Sequence, residues 1–220
     1  MDTETTPVDA GTAPRVWSEQ QSIIFSEFAR GGKEHVVIVA YAGCAKTTSA
    51  IEGIHHAPEH SIMMCAFNKR IQEELARRIQ IPTAQAKTLH SLGFGCVQRF
   101  WKIHMCKPGF ARARALTQSV CGDQAPDAMK KLVSILHTKA REMKPLAQHA
   151  GDLIDIAYQF DCVPDEEWQS FGYDVQKIEN LALKAMALAA EKKPVDTGID
   201  FADMIFLPVR NNWMRPTYGL

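Results

Sequence analysis

Apolar residues along this chain form short unbroken runs in one part and helical spacings in another. An unbroken apolar run bounded by polar or glycine-rich residues is typical of a strand buried on both faces of a parallel sheet. Residues 35–40 and 61–66 fit this pattern, and a shorter strand is predicted near residues 84–87. The first hundred residues therefore predict three strands.

Helical spacing precedes the first strand and follows each of the three. Ser18 and Gln21 have the spacing of a capping box, so a helix is expected to begin there and to end near Arg30, before two glycines. Further helices are predicted over residues 46–57, 68–79 and 90–103. Alternating strands and helices predict an α/β fold with a parallel sheet and flanking helices.

From residue 110 onward only helical patterns appear. They predict helices near residues 113–120, 126–142, 145–159, 165–171 and 174–193, followed by a return helix that begins near Asp200. The chain thus divides into four predicted segments: a disordered tail (1–14), the first part of an α/β domain (15–108), an all-helical insertion (109–195) and a return to the α/β domain (196–220).

Composition indicates a globular protein, with 46% hydrophobic and 23% charged residues. No apolar run approaches the roughly 20 residues of a membrane span, and the N-terminus lacks the layout of a signal peptide. We therefore expect a cytoplasmic protein (the nucleoid or a phage-infected cytoplasm included), not a secreted one, with no membrane partner. The six cysteines form no C-x-x-C pair, which favours buried, reduced thiols over a zinc site.

The net charge of zero conceals a segregation of charge along the chain. Residues 66–114 carry ten Lys/Arg against two Asp/Glu, whereas residues 1–65 carry four against eight and residues 115–220 carry eleven against fifteen. The basic block also contains five Phe and Trp residues. Such a block is typical of a nucleic-acid track, where cations meet phosphates and rings stack on bases. A solvated helix face is the alternative interpretation.

The turn between the first strand and its helix is a candidate phosphate-binding loop. Backbone N–H groups and the helix N-terminus would face an anion, Lys46 would reach the β- and γ-phosphates, and the Thr47 hydroxyl would bind Mg²⁺. Tyr41 and Ala45 occupy the two outer glycine positions of the usual pattern. Alanine at position 45 is a small change if that residue keeps a right-handed conformation, whereas Tyr41 cannot cheaply adopt a positive φ. A turn with an incidental lysine is the alternative. The nucleotide-binding residues would be Ala42, Gly43, Cys44, Ala45, Lys46, Thr47 and Thr48.

Three further motifs accompany the loop in order. Trp17-Ser18-x-x-Gln21 precedes it, Ala66-Phe67-Asn68-Lys69-Arg70 ends the second strand, and Lys87-Thr88-Leu89-His90-Ser91 ends the third. This set resembles the N-terminal motifs of superfamily 1A DNA helicases of the UvrD/Rep type. The F-box helicase branch and its phage relatives are more similar still, because their loop begins Ala-[Tyr/Phe]-Ala-Gly.

The resemblance implies a P-loop NTPase with a RecA-like sheet, and it places the helical residues 109–195 at the family's 1B insertion. It also implies ATP and Mg²⁺ as ligands, with Lys46 and Thr47 as catalytic residues. Gln21 would contact the adenine edge, with Gln20 as an alternative register, although the capping box by itself also accounts for Gln21.

The same resemblance implies that single-stranded DNA is a partner. Phe67, Asn68, Lys69 and Arg70 fall on one DNA-contacting motif, and Thr88 and His90 fall on another. UvrD relatives carry the stacking aromatic one place before Phe67, and without the family His90 would be interpreted as a structural histidine.

In the family, a strand ending in Asp-Glu-x-Gln follows the return segment, and a second RecA-like domain with an arginine finger follows later. The sequence stops at Leu220 before either, and Asp165-Glu166 follows a proline in the helical region, so it is no substitute. We therefore expect an N-terminal portion of a 3′→5′ helicase that hydrolyses ATP poorly alone. The alternatives are a non-hydrolysing binding module or a split-gene fragment that needs a partner chain; a nucleotide kinase is disfavoured.

Overall fold

The chain has an α/β fold that is mostly helical and contains a small parallel sheet of two strands, β1 and β2. The computed structural model describes residues 15–32, 35–103, 111–191, 193 and 198–214. In chain order its elements are α1 (Glu19–Arg30), α2 (Lys46–His56), β1 (Ile62–Ala66), α3 (Lys69–Arg78), β2 (Ala84–Thr88), α4 (Leu89–Trp101), α5 (Ala111–Cys121), α6 (Asp127–Met143), a 3₁₀ turn (Ala150–Leu153), α7 (Ile154–Gln159), α8 (Glu166–Ser170), α9 (Val175–Glu191) and α10 (Phe201–Arg210).

The predicted start of α1 is confirmed by its hydrogen bonds. Ser18 Oγ accepts from the Gln21 backbone N–H at 3.3 Å, and Gln21 Oε1 accepts from the Ser18 N–H at 3.0 Å, which completes a capping box. The helix ends where Gly31 turns to a φ of 58°. Local chemistry thus sets both ends of this helix.

The strand predicted over residues 35–40 is wrong. These residues pair in no sheet, and the Val37 and Val39 side chains are 82% and 93% exposed. An apolar run becomes a strand only when a neighbouring strand satisfies its backbone N–H and C=O groups. Within the described part of the chain no segment takes that place, so this segment runs into the following turn as irregular backbone.

The chain folds as two compact units. Among the described residues, the first unit comprises 15–32, 35–64 and 73–86, and the second comprises 65–72, 87–103, 111–191, 193 and 198–214. In the first unit α1 packs on α2, and the Phe28 ring lies so close to Gly53 that an added Cβ would sit 2.7 Å from it. Its small core includes Ile54, Ile62 and Ala84. An open apolar hollow of about 240 Å³ lies beside this core, between Phe28 and Met64.

The second unit has the larger core, built from α4–α7, α9 and α10. The backbones of α4 and α10 approach closely at Gly93, where an added Cβ would overlap the carbonyl oxygen of Met204 and lie 2.8 Å from its carbonyl carbon. Only glycine fits at this crossing.

The described helices and cysteines bear on two further predictions from the sequence. No helix in the described ranges is both long and apolar enough to cross a membrane. The described cysteines are free, but Cys44 and Cys65 are exposed and only Cys162 is buried, so the expectation of buried thiols is wrong for the first two. The tail at residues 1–14 and Cys106 lie outside the described residues.

Candidate functional site

The candidate phosphate-binding loop is a tight turn that leads directly into α2. Gly43 has a φ of 84°, and Ala45, the residue before the helix, has a φ of 52°. Ala45 therefore does not keep the right-handed conformation in which alanine would be a small change from glycine, whereas Tyr41 has no positive φ, as expected. The left-handed conformation of Ala45 is unfavourable for a residue with a Cβ. Gly43 and Ala45 together let the chain reverse within a few positions.

Lys46 folds back over this loop. Its ammonium Nζ donates to the backbone oxygens of Ala40 at 2.9 Å and Tyr41 at 2.6 Å, which places the charge beside the turn. The Thr47 side chain beside it is exposed, as are Ala42, Gly43 and Cys44. An anion at the loop would thus meet an ammonium and an accessible hydroxyl.

The N-terminus of α2 receives no cap from its own sequence. Ala45 occupies the N-cap position without a side-chain hydrogen bond, and the first turn contains no acidic residue. The first N–H groups of a helix have no intrahelical acceptor, and they carry a partial positive charge. The eleven-residue helix α2 therefore presents uncompensated donors to the loop.

Thr48 and Gln21 contact other side chains of the first unit. Arg78 Nη2 donates to Thr48 Oγ1 at 2.9 Å. The Gln21 Nε2 donates to the buried Ser49 Oγ at 2.9 Å, while its Oε1 is occupied by the capping box. The structural role of Gln21 is thus observed, and its contact with adenine stays a prediction. The alternative residue, Gln20, is exposed.

The second group of predicted residues lies where β1 and β2 end. Asn68 Oδ1 accepts from the Ile71 N–H at 2.9 Å and so caps α3, and Thr88 Oγ1 accepts from the Ser91 N–H at 3.1 Å and caps α4. Because β1 and β2 are parallel neighbours, the two helices begin at the same edge of the sheet. The Phe67 side chain at this edge is 90% exposed, and Lys69 and Arg70 are exposed too.

His90 lies against Phe201, an aromatic residue outside the motifs that the sequence offers as a site. The His90 and Phe201 rings meet edge to face, with centroids 5.6 Å apart and an interplanar angle of 83°. Phe201 is the first residue of α10 and is 53% exposed. In the sequence, Phe201 could have been noticed because it is a large apolar residue directly after Asp200, the residue that caps the helix. A side chain at the very start of a helix is often exposed to solvent.

The basic block of residues 66–114 is not one continuous surface. Arg112 is 4% exposed and binds Asp203, so it belongs to the interior of the second unit. Arg78 is committed to Glu74 and Thr48 within the first unit. The exposed positive charge at the strand ends therefore comes from Lys69, Arg70 and the half-buried Lys87.

Comparison with known proteins shows a local similarity. The chain is 33% identical over 84 residues to F-box DNA helicase 1 of Gallus gallus, a match that covers 38% of this chain and 8% of that protein. No family model matches the chain. The similarity relates part of this chain to a DNA helicase, and the matched stretch spans less than a tenth of that relative's length.

Proposed function

We propose that this chain binds ATP at the loop 40–48 and single-stranded DNA at the ends of β1 and β2, as the N-terminal portion of an ATP-dependent 3′→5′ DNA helicase of superfamily 1A. The loop would belong to a P-loop NTPase of RecA-like fold. Support comes from the order of the motifs, from the local similarity to a DNA helicase and from the geometry of the loop.

The observation that carries the nucleotide site is the position of Lys46. Its ammonium lies on the loop carbonyls at the start of a helix whose first turn has no side-chain cap. A phosphate would accept from the loop N–H groups and from Lys46, which would exchange its carbonyl partners for phosphate oxygens. The open space around Gly43 would admit the phosphates, and the exposed Thr47 hydroxyl suits a hard cation such as Mg²⁺. Bound Mg²⁺ supplies charge neutralisation during phosphoryl transfer.

Lys46→Ala tests the nucleotide site. We expect the affinity for Mg²⁺–ATP to fall tenfold or more, because hydrogen bonds to charged groups are roughly twice as strong as neutral ones. Isothermal titration calorimetry measures this, and circular dichroism checks the fold. Lys144→Ala is a matched control, since Lys144 lies in the second unit and forms an exposed pair with Asp155. Equal affinities of wild type and Lys46→Ala would refute the site.

The proposed DNA surface combines exposed cations with exposed rings. Lys69, Arg70 and Lys87 would neutralise phosphates, while Phe67 and Phe201 would stack on bases. The N-termini of α3 and α4 open at the same edge and add partial positive charge.

The triple change Lys69→Ala, Arg70→Ala and Lys87→Ala tests this surface. Each phosphate contact on a single strand contributes a slope of about 0.7 in log affinity against log salt concentration, so the variant should lose about two units of slope. Fluorescence anisotropy with a labelled oligonucleotide measures it.

A control variant with Lys131, Lys139 and Lys184 changed to alanine removes the same charge from the helical region. Lys131 and Lys184 are exposed, and Lys139 is half-buried, as Lys87 is. If both variants lose the same slope, only the net charge matters and the surface is not the binding site.

A second candidate is a module that binds nucleotide or DNA without hydrolysing ATP. The loop geometry favours it equally, because Lys46 and the start of α2 supply groups for binding rather than a base for the attacking water. ATP turnover with and without single-stranded DNA separates the two candidates. Slow turnover that DNA stimulates favours the helicase portion, and ATP binding without any turnover favours the module.

A further inference from the structure

The interior of the second unit contains four charged side chains that bind one another: Arg112, Arg141, Asp200 and Asp203, here called the ion quartet. Arg141 Nη1 donates to Asp200 Oδ1 at 3.0 Å and to Asp203 Oδ1 at 2.6 Å, and its Nη2 donates to Asp200 Oδ2 at 2.8 Å. Arg112 Nε donates to Asp203 Oδ2 at 3.0 Å. The Arg141 and Asp203 side chains are 0% exposed.

Charge is balanced within the quartet. Burial disfavours the Arg141 charge, but Asp203 and Asp200 raise the pKa of Arg141 above its ordinary value. Burial also raises the pKa of Asp203, and both guanidinium groups oppose that rise. We take Asp203 as ionised because each of its two carboxylate oxygens accepts a charge-assisted hydrogen bond from a different arginine.

The quartet clamps the first turn of α10 from two other helices. Arg112 lies on α5, where its Nη2 also donates to the Ala189 oxygen of α9 at 3.2 Å, and Arg141 lies on α6. Asp200 is the N-cap of α10, and its Oδ1 also accepts from the Asp203 N–H at 2.9 Å. The N-cap acid Asp200 and the first-turn acid Asp203 are thereby fixed in place.

Phe201 lies between these two clamped acids. Its backbone belongs to the turn that the quartet holds, while its ring is half exposed and meets His90. Replacing buried ion pairs by apolar residues is often neutral or stabilising, so stability alone does not account for a buried ion quartet. A guanidinium that binds two carboxylates does, however, fix direction as well as distance.

We propose that Arg141, with Arg112, is a positioning residue for single-strand binding: it holds the start of α10 so that the Phe201 ring stands beside His90 at the DNA edge. This inference rests on the proposed function. Arg141 itself touches no DNA. Its effect therefore reaches the bases only through the orientation of Phe201.

The test compares the full 220-residue chain with its Arg141→Lys and Asp200→Asn variants. Lysine keeps the charge but cannot bind both carboxylates with two nitrogens, and asparagine keeps the helix cap but removes one carboxylate charge. Affinity is measured for a thymidine oligonucleotide and for an abasic oligonucleotide of equal length. Both variants should bind the thymidine strand about tenfold more weakly, while affinity for the abasic strand and the salt slope remain unchanged.

Two controls separate positioning from stability. Leu136→Ala removes a fully buried core side chain of α6 outside the quartet, and it should retain the preference for bases in whatever fraction is folded. Phe201→Ala should lower thymidine binding to the same extent as Arg141→Lys, and the double variant should be no weaker than either single one.

The outcomes distinguish the two proposals. A wild-type chain that binds neither oligonucleotide would overturn the proposed function and this inference with it. The positioning role alone would be overturned if the wild type prefers the thymidine strand and the quartet variants keep this preference. Additive losses for Arg141→Lys and Phe201→Ala would do the same, since the two residues would then act independently.

Discussion

The crossing of α4 and α10 at Gly93 leads to a prediction with a built-in control. An added Cβ at Gly93 would overlap a backbone carbonyl, which has no rotamer to move into, so α4 and α10 would have to separate. Overpacking typically costs about 1–3 kcal/mol, and a clash with backbone belongs at the upper end. Alanine returns up to about 1 kcal/mol of helix propensity. We therefore expect Gly93→Ala to lower the free energy of unfolding by about 2 kcal/mol, the difference between these two effects.

Gly95→Ala lies in the same helix, where an added Cβ meets nothing within 4 Å. It should raise the free energy of unfolding by up to about 1 kcal/mol, since it gains propensity without a clash. Urea unfolding followed by tryptophan fluorescence measures both. Trp101 and Trp213 report on the helix pair directly, with ring centroids 5.3 Å apart, and Trp17→Phe removes the signal of the other unit. If Gly93→Ala were as stable as Gly95→Ala, the close approach of the two helices would be refuted.

Two further predictions concern binding and pH. Phe67→Ala should weaken single-strand binding by about 1–3 kcal/mol if the exposed ring stacks on a base, whereas Phe171→Ala, also an exposed ring, should change nothing; equal anisotropy titrations for both would exclude stacking by Phe67. Burial lowers the pKa of His137 from 6.5 to about 3. Between these two pH values His137 is therefore protonated in the unfolded chain and neutral in the folded chain. As pH decreases from 6.5 towards 3, His137 should lower the free energy of unfolding by about 1.4 kcal/mol per pH unit. The His137→Gln variant should lack this contribution to the pH dependence. The free energies of unfolding are measured by urea titration at several pH values between 6.5 and about 4. Equal pH slopes for wild type and His137→Gln would contradict the prediction.

Elements fixed by local chemistry were predictable from the sequence. The capping box of Ser18 and Gln21 places the start of α1, and the boundaries of α2 and α6 fall within a few residues of their predicted positions. These signals need only residues that lie within a turn or two of each other. The presence of a helix therefore follows from its own sequence.

Features that depend on distant residues were not predictable. The segment 35–40 has the composition of a strand but lacks a neighbour in the described structure. In the sequence, Arg112 belongs to the basic block and looks like a surface charge. In the structure it is buried, because it binds Asp203, which lies 91 positions away. Phe201 reaches His90 only because α4 and α10 pack together. A sequence shows how many charged and apolar residues a segment contains, whereas packing decides which of them meet.

The valines of residues 36–39 also affect how the protein behaves at high concentration. An exposed apolar segment outside any sheet is a template for pairing with another such segment, and the hollow between Phe28 and Met64 adds to the apolar surface of the same unit. Copies that meet through these segments would grow by β-pairing rather than close into a symmetric dimer, because a segment that becomes extended on pairing offers backbone groups along two edges. Colloidal stability of the chain should therefore depend steeply on concentration, and a single lysine at Val37 or Val39 would be enough to interrupt the template.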